Sequence, residues 1–320
     1  MATLYFFENL RVPFLDKLFS VLTYLGSEAV VLLLVLAALW CVDKRFGRLV
    51  LYSSLFSLGT NILLKNIFCV ARPWVKDTSF TIVESARAGA TGYSFPSGHT
   101  ANSVTVYGCI GTYYKKPAMW AVSLFVIAVV AFSRLYLGVH TLLDVSASLA
   151  LSSVILLVVY WAYEKSFRSR AARIVLDAAC VAFAFGVLLY LALAPVPDGA
   201  DAALTAEGVK NAYSSFGAVV AFVISINVDD RFIRYKTDGV WWSQILKFVI
   251  GALLVLAVKE LLKAPLNALF NYSNVAHAVR YFLMVTVGGC LWPMTFGFWS
   301  RLGKNKTTQA EKLKGSCCEE

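Results

Sequence analysis

Residues 29–40 read AVVLLLVLAALW, and their reading decides the fold. A strand of a membrane barrel alternates apolar and polar side chains at period two over about ten residues. This run is apolar on every face, which suits a helix surrounded by lipid or protein. Outward from it, the chain offers about nine apolar segments, near residues 18–41, 47–68, 99–114, 117–133, 139–163, 172–194, 209–227, 241–262 and 276–299. Most approach the roughly 20 residues that a helix needs to cross a bilayer core. Hydrophobic residues make up 59% of the 320 residues and charged ones only 15%, a balance that excludes an ordinary soluble domain. The expected class is all-α: a polytopic helical membrane protein with about nine transmembrane helices.

The net charge of +10 would suit a nucleic-acid partner if it were clustered on one soluble face, but it is spread over short connections. Lys44, Arg45 and Arg48 follow the first apolar segment, Lys115 and Lys116 the third, and Lys165, Arg168, Arg170 and Arg173 the fifth. Arg231, Arg234 and Lys236 follow the seventh, and Arg301, Lys304, Lys306, Lys312 and Lys314 the ninth. Basic short connections mark the cytoplasmic side. The N terminus is therefore expected outside, the C terminus inside, and no nucleic acid is expected as a partner. Residues 1–17 mix Glu8, Arg11, Asp16 and Lys17 with aromatics and fit an amphipathic helix on the outer surface better than a cleaved leader.

Seven cysteines lie scattered in apolar segments or paired in the tail as Cys317 and Cys318, without metal-ligand spacing. No disulfide framework or metal site is expected from them.

Two outer connections hold basic residues where the topology rule disfavours them. The first opens with KNIFCVARP, residues 65–73, and closes with PSGH, residues 96–99. The second reads SRLYLGVHTLLD, residues 133–144. Each piece alone has a plain reading, since a Lys or Arg at a helix end usually reaches for the interface. Together they bring two of the chain's three histidines to one membrane face. His140 and Asp144, four apart, would share a helix face. A carboxylate accepting from one ring nitrogen fixes the tautomer and frees the other to attack. Lys65, Arg72 and Arg134 supply three cations, and guanidinium forks match phosphate oxygens. Gly98 lets backbone N–H groups approach an oxyanion at a helix N-terminus, and His99 stands where it could protonate a leaving group. Two histidines with three cations and few carboxylates point to metal-free phosphoryl transfer through a phosphohistidine.

These three pieces resemble the signature motifs of the type 2 phosphatidic acid phosphatase (PAP2) superfamily: Lys, six residues, Arg-Pro; Pro-Ser-Gly-His; Ser-Arg, five residues, His, three residues, Asp. All eleven fixed positions match, in order and at the family's internal spacings. The resemblance implies His140 as nucleophile, Asp144 as its partner and His99 as the acid toward the leaving group. It implies Lys65, Arg72, Ser97, Gly98 and Arg134 as the phosphate cradle, with no metal and no cofactor. It covers residues 18–165, the expected catalytic core of about five spans. Residues 166–300 form an additional region of about four spans, and residues 301–320 a polar cytoplasmic tail.

The implied substrate is a lipid phosphate or pyrophosphate of the phosphatidic acid, phosphatidylglycerophosphate or polyprenyl pyrophosphate type, met on the extracytoplasmic face, with membrane lipids as the other partners. A soluble phosphomonoester such as glucose 6-phosphate is the alternative within the family. An anionic lipid transporter, which also holds basic residues amid broken helices, is the alternative of another class. In the second half, His277 and Arg280 lie toward the outer face beside the KELLKAPL stretch, where basic side chains commonly reach headgroup phosphates.

Overall fold

The computed structural model describes residues 1–302. Residues 303–320, most of the expected polar tail with Cys317 and Cys318, lie outside the described residues. Every regular element among the described residues is helical. In chain order the α-helices are α1 (Ala2–Asn9), α2 (Pro13–Leu22), α3 (Glu28–Ala37), α4 (Lys44–Phe68), α5 (Pro73–Lys76), α6 (Gly98–Tyr114) and α7 (Pro117–Tyr136). They continue as α8 (Leu142–Ser166), α9 (Arg170–Leu193), α10 (Ala202–Val228), α11 (Trp241–Leu261), α12 (Lys263–Leu269), α13 (Val275–Thr286) and α14 (Phe296–Arg301).

Five helices are long and apolar enough to cross a membrane, and six if the bent pair Pro13–Gly26 and Glu28–Val42 counts as one. All nine apolar segments are helical, but that test supports fewer than nine crossings. The reason is clearest in α6, GHTANSVTVYGCIGTYY, which is short and rich in Thr, Ser and Gly. It packs against α3, α4, α7 and α8, so its partners are protein side chains and its hydroxyls bond to its own carbonyls, as Thr105 and Thr112 do. A helix surrounded by helices is not required to be apolar.

The first apolar segment is broken where the sequence pattern is continuous. Ser27 caps α3 by accepting from the Val30 N–H at 3.4 Å, and the two halves meet at 49°. Gly26 makes the break fit, because a Cβ there would lie 2.6 Å from the His99 carbonyl oxygen. The N-terminal stretch is likewise two short helices rather than one, α1 and α2, and it is tied to the 69–97 connection. Arg11 donates to the Thr81 carbonyl at 2.8 Å, and Tyr5 donates to Asp77 at 2.7 Å.

Helix α4 is the axis of the bundle. Its Leu49, Val50 and Tyr52 are buried with Cys109 of α6, Val159 of α8, Cys180 of α9 and Val219 of α10. Small residues allow the closest helix approaches in the second half: a Cβ on Gly217 of α10 would meet the Ala278 carbonyl of α13 at 2.0 Å. Dispersion at such close crossings takes the place of a hydrophobic driving force within lipid.

Candidate active site

At one end of α4 the chain has to leave the bundle, cross above it and return. Cys69 adopts a left-handed conformation at φ 45°, Pro73 opens the single turn α5, and the connection comes back at Ser97, which caps α6. Arg72 stitches this connection together. Its guanidinium donates to the carbonyls of Gly92 at 3.0 Å, Thr91 at 2.6 Å and Val139 at 3.0 Å. It also places Nη1 3.0 Å from Nε2 of His140.

His140 sits in the turn between α7 and α8. Gly138, at φ +79°, bends the chain there, and a Cβ on it would strike Arg11 and Phe80. The sequence pattern expects His140 and Asp144 on one helix face, and the structure brings them together differently. His140 precedes the helix, and Thr141 is the cap of α8. Asp144, three residues inside, reaches back to the Thr141 N–H at 2.8 Å in a capping box. That same Oδ2 lies 3.5 Å from His140 Nδ1. A hydrogen bond from the Ser94 hydroxyl at 2.6 Å fixes the carboxylate from the other side. With Nδ1 toward a carboxylate and Nε2 toward a guanidinium that can only donate, the tautomer is set with Nε2 carrying the lone pair. Burial first and the Arg72 charge second hold the His140 pKa well below the usual histidine value, so the ring is neutral.

A cavity of about 260 Å³ opens in front of this pair. Lys65, Arg72, Gly98, His99 and His140 line it. Lys65 donates to the Tyr93 carbonyl. The other three residues expected at the site stand behind the wall. Asp144 holds His140. Ser97 is fully buried, its hydroxyl engaged by Thr100 at 3.0 Å and its N–H by the Asp144 carbonyl at 3.2 Å. Arg134 is also buried. Its Nη1 donates to Thr23 at 2.8 Å, while Nε and Nη2 have no partner among the described residues.

Sequence reasoning missed four contributors. Ser94 and Thr141 fix Asp144, Asn61 donates to the Pro96 carbonyl at 3.3 Å and lines the cavity, and Glu28 lines it from α3. Asn61 had a signal, since it is a polar residue one helical turn before Lys65 inside an apolar segment. Ser94 stands two residues before the Pro-Ser-Gly-His stretch. Chemically, the arrangement offers a neutral oriented imidazole, a second imidazole across the same cavity and guanidinium and ammonium donors around it, which suits attack on a phosphate.

Residues 46–168 match the profile of the PAP2 superfamily, and residues 213–305 match that of the PAP2 superfamily phosphatase transmembrane extension. Among curated proteins, the chain is 31% identical over 199 residues to a Dictyostelium discoideum protein named "Probable sphingosine-1-phosphate phosphatase", covering 58% of this chain and 46% of that one. It is 27% identical over 177 residues to phosphatidylglycerophosphatase B of Bacillus subtilis, covering 50% and 81% respectively. It is 26% identical over 153 residues to lipid phosphate phosphatase delta of Arabidopsis thaliana, covering 44% and 37%. The chain thus spans about half the length of the Dictyostelium relative. No solved structure is detectably similar to it.

Proposed function

The chain belongs to the PAP2 superfamily, and on that premise we propose that it is an integral-membrane phosphatase hydrolysing a lipid phosphate through a phosphohistidine. The observation that carries this reading is the set of contacts on His140, with Asp144 at Nδ1 and Arg72 at Nε2, on the wall of the cavity that His99 also lines. An incoming phosphate oxygen takes over the Arg72 Nη1 donor and releases the Nε2 lone pair. Nε2 then attacks phosphorus in line with the ester oxygen. The N–P bond forms as the P–O bond breaks, and the leaving oxygen takes a proton from His99. The negative phosphate is what allows His99 to hold that proton among so many cations. Water next attacks the phosphohistidine, giving its proton to His99, and orthophosphate leaves. Asp144 offsets the positive charge that grows on His140, while Lys65, Arg72 and Arg134 offset the charge on the equatorial oxygens. No step calls on a metal or cofactor.

A lipid substrate is supported by the surroundings of the site, where Val21, Tyr24, Phe68 and Val75 are large and exposed. Phosphatidic acid, phosphatidylglycerophosphate, a polyprenyl pyrophosphate and, by the names of the relatives, a sphingoid phosphate are the candidates. Orthophosphate release by the detergent-solubilised protein from these lipids and from glucose 6-phosphate tests the reading. Release from glucose 6-phosphate alone would replace the lipid by a soluble ester, and no release from any would favour an anionic lipid transporter.

We further infer nine crossings, with the site on the extracytoplasmic face and the C terminus in the cytoplasm, from the alternation of basic connections. Thr78 and Ser169 are both exposed. After removal of the native reactive cysteines, a membrane-impermeant thiol reagent should label Thr78→Cys but not Ser169→Cys in intact cells. The opposite pattern inverts the topology.

A further inference from the structure

Glu28 is the one carboxylate on the cavity wall among the described residues, on a wall that also carries Lys65, Arg72, His99 and His140. It has no hydrogen-bond or ion-pair partner among the described residues, and it is exposed. A Glu in the first turn of a helix often serves only the helix N-terminus. Here that work is done by Ser27, whose hydroxyl accepts from Val30. Its neighbourhood is fixed on the side of His99. Gly26 presses against the His99 carbonyl, and Asn102 Nδ2 donates to the Gly26 carbonyl at 3.1 Å.

A carboxylate without a partner on a wall of cations and imidazoles is free to accept a charge-assisted hydrogen bond from a cationic group of the ligand. It also repels the phosphate that the rest of the cavity attracts, so it weakens binding of any substrate that brings negative charge alone. The hydrolysed phosphate is terminal, so nothing lies beyond it. A cation that enters the cavity together with the phosphate is carried by the backbone that bears the phosphate.

Building on the phosphatase reading, we propose that Glu28 is a specificity-determining residue that binds an ammonium group next to the scissile ester, so that the preferred substrates are amino-alcohol lipid phosphates. The ammonium neutralises Glu28, and the phosphate beside it meets Lys65 and Arg72, with the Arg134 charge behind the wall.

The test uses the full-length protein in mixed micelles with three probes: sphingosine 1-phosphate, its N-acetyl derivative and phosphatidic acid. In the wild type, N-acetylation should lower kcat/KM about ten- to hundredfold, as expected for loss of a charge-assisted hydrogen bond, with most of the change in KM. In Glu28→Gln that difference should collapse to about twofold or less, and Glu28→Asp should restore part of it, as a double-mutant cycle requires when two groups interact. An N-acetylation penalty of equal size in wild type and Glu28→Gln would overturn the proposal, as would a Glu28→Gln loss shared equally by all three probes. If Glu28→Gln fails to fold, the wild-type comparison of amine with N-acetyl derivative and the Glu28→Asp variant still decide. Failure of the phosphatase reading looks different, since the wild type would then release no orthophosphate from any probe, and the proposal would fall with it.

Discussion

Helix α4 carries a cluster of cations at each end, and the two clusters differ in their partners. At the end that begins at Lys44, every cation of the cluster meets a carboxylate. Lys44 and Arg48 reach Asp229 at 2.7 and 2.6 Å, Arg48 reaches Asp230 at 2.8 Å, and Arg173 also pairs with Asp230. At the end that finishes near Lys65, Lys65, Arg72 and Arg134 form no ion pair among the described residues; they hold carbonyls and a hydroxyl, and Arg134 keeps two nitrogens unpaired. The same residue types do opposite work. A closed network balances its charge within the protein and joins α4 and α9 to the turn after α10. An open one is short of negative charge and waits for an anion.

The largest effect should come from the open end. On the proposed phosphohistidine route, His140→Ala should lower turnover by several orders of magnitude, as for loss of a nucleophile that acts within a unit, with the melting temperature in detergent little changed. A large drop in melting temperature would mean that the open end is structural after all. His99→Ala should cost roughly 10² to 10⁴ with a lipid phosphate and much less with p-nitrophenyl phosphate, whose leaving group departs without a proton. Equal losses on both substrates would show that the two histidines have exchanged roles.

At the closed end the expectation reverses. Asp229→Ala takes the carboxylate from Lys44 and leaves Arg48 with Asp230 alone, and should destabilise by about 3 kcal/mol, read as a lower thermal midpoint, while turnover per folded molecule is preserved. If turnover fell without loss of stability, the closed network would be coupled to chemistry. The smallest effect sharpens the comparison. Ser94→Ala removes a hydrogen bond to the Asp144 carboxylate and should lower kcat by about tenfold, in line with roughly 1.5–3 kcal/mol for a bond to a charged group, leaving KM nearly unchanged.

Much of the site was legible because the motif residues fall at fixed spacings on two connections that topology brings to one face. Lys65, Arg72, His99 and His140 converge on one cavity as that spacing implies. The helix-face argument for His140 and Asp144 reached the right pair by the wrong geometry, since a capping box and a helical i, i+4 pair leave the same trace in sequence. Ser94, Thr141 and Glu28 were invisible for a related reason. Their roles depend on where separate segments cross, and nothing local in a Ser or a Glu at a helix start distinguishes a cap from a site. The helical class was legible from apolar runs. The break at Gly26 was not, because the apolar pattern runs through it and only the His99 carbonyl explains it. The low hydropathy of α6 was legible in its residues, but its cause, the helices packed around it, was not.

The length of α4 has a mechanical consequence. Its 25 residues make a rod of roughly 37 Å, longer than the hydrocarbon it crosses. Such a rod must lean, or let an end emerge. With its Lys44 end moored to Asp229 and Asp230, the adjustment falls to the Lys65 end, where Lys65, Arg72, His99 and His140 line one cavity. Bilayer thickness then acts as a depth gauge, setting how far the cavity beside Lys65 sits from the plane of the headgroups.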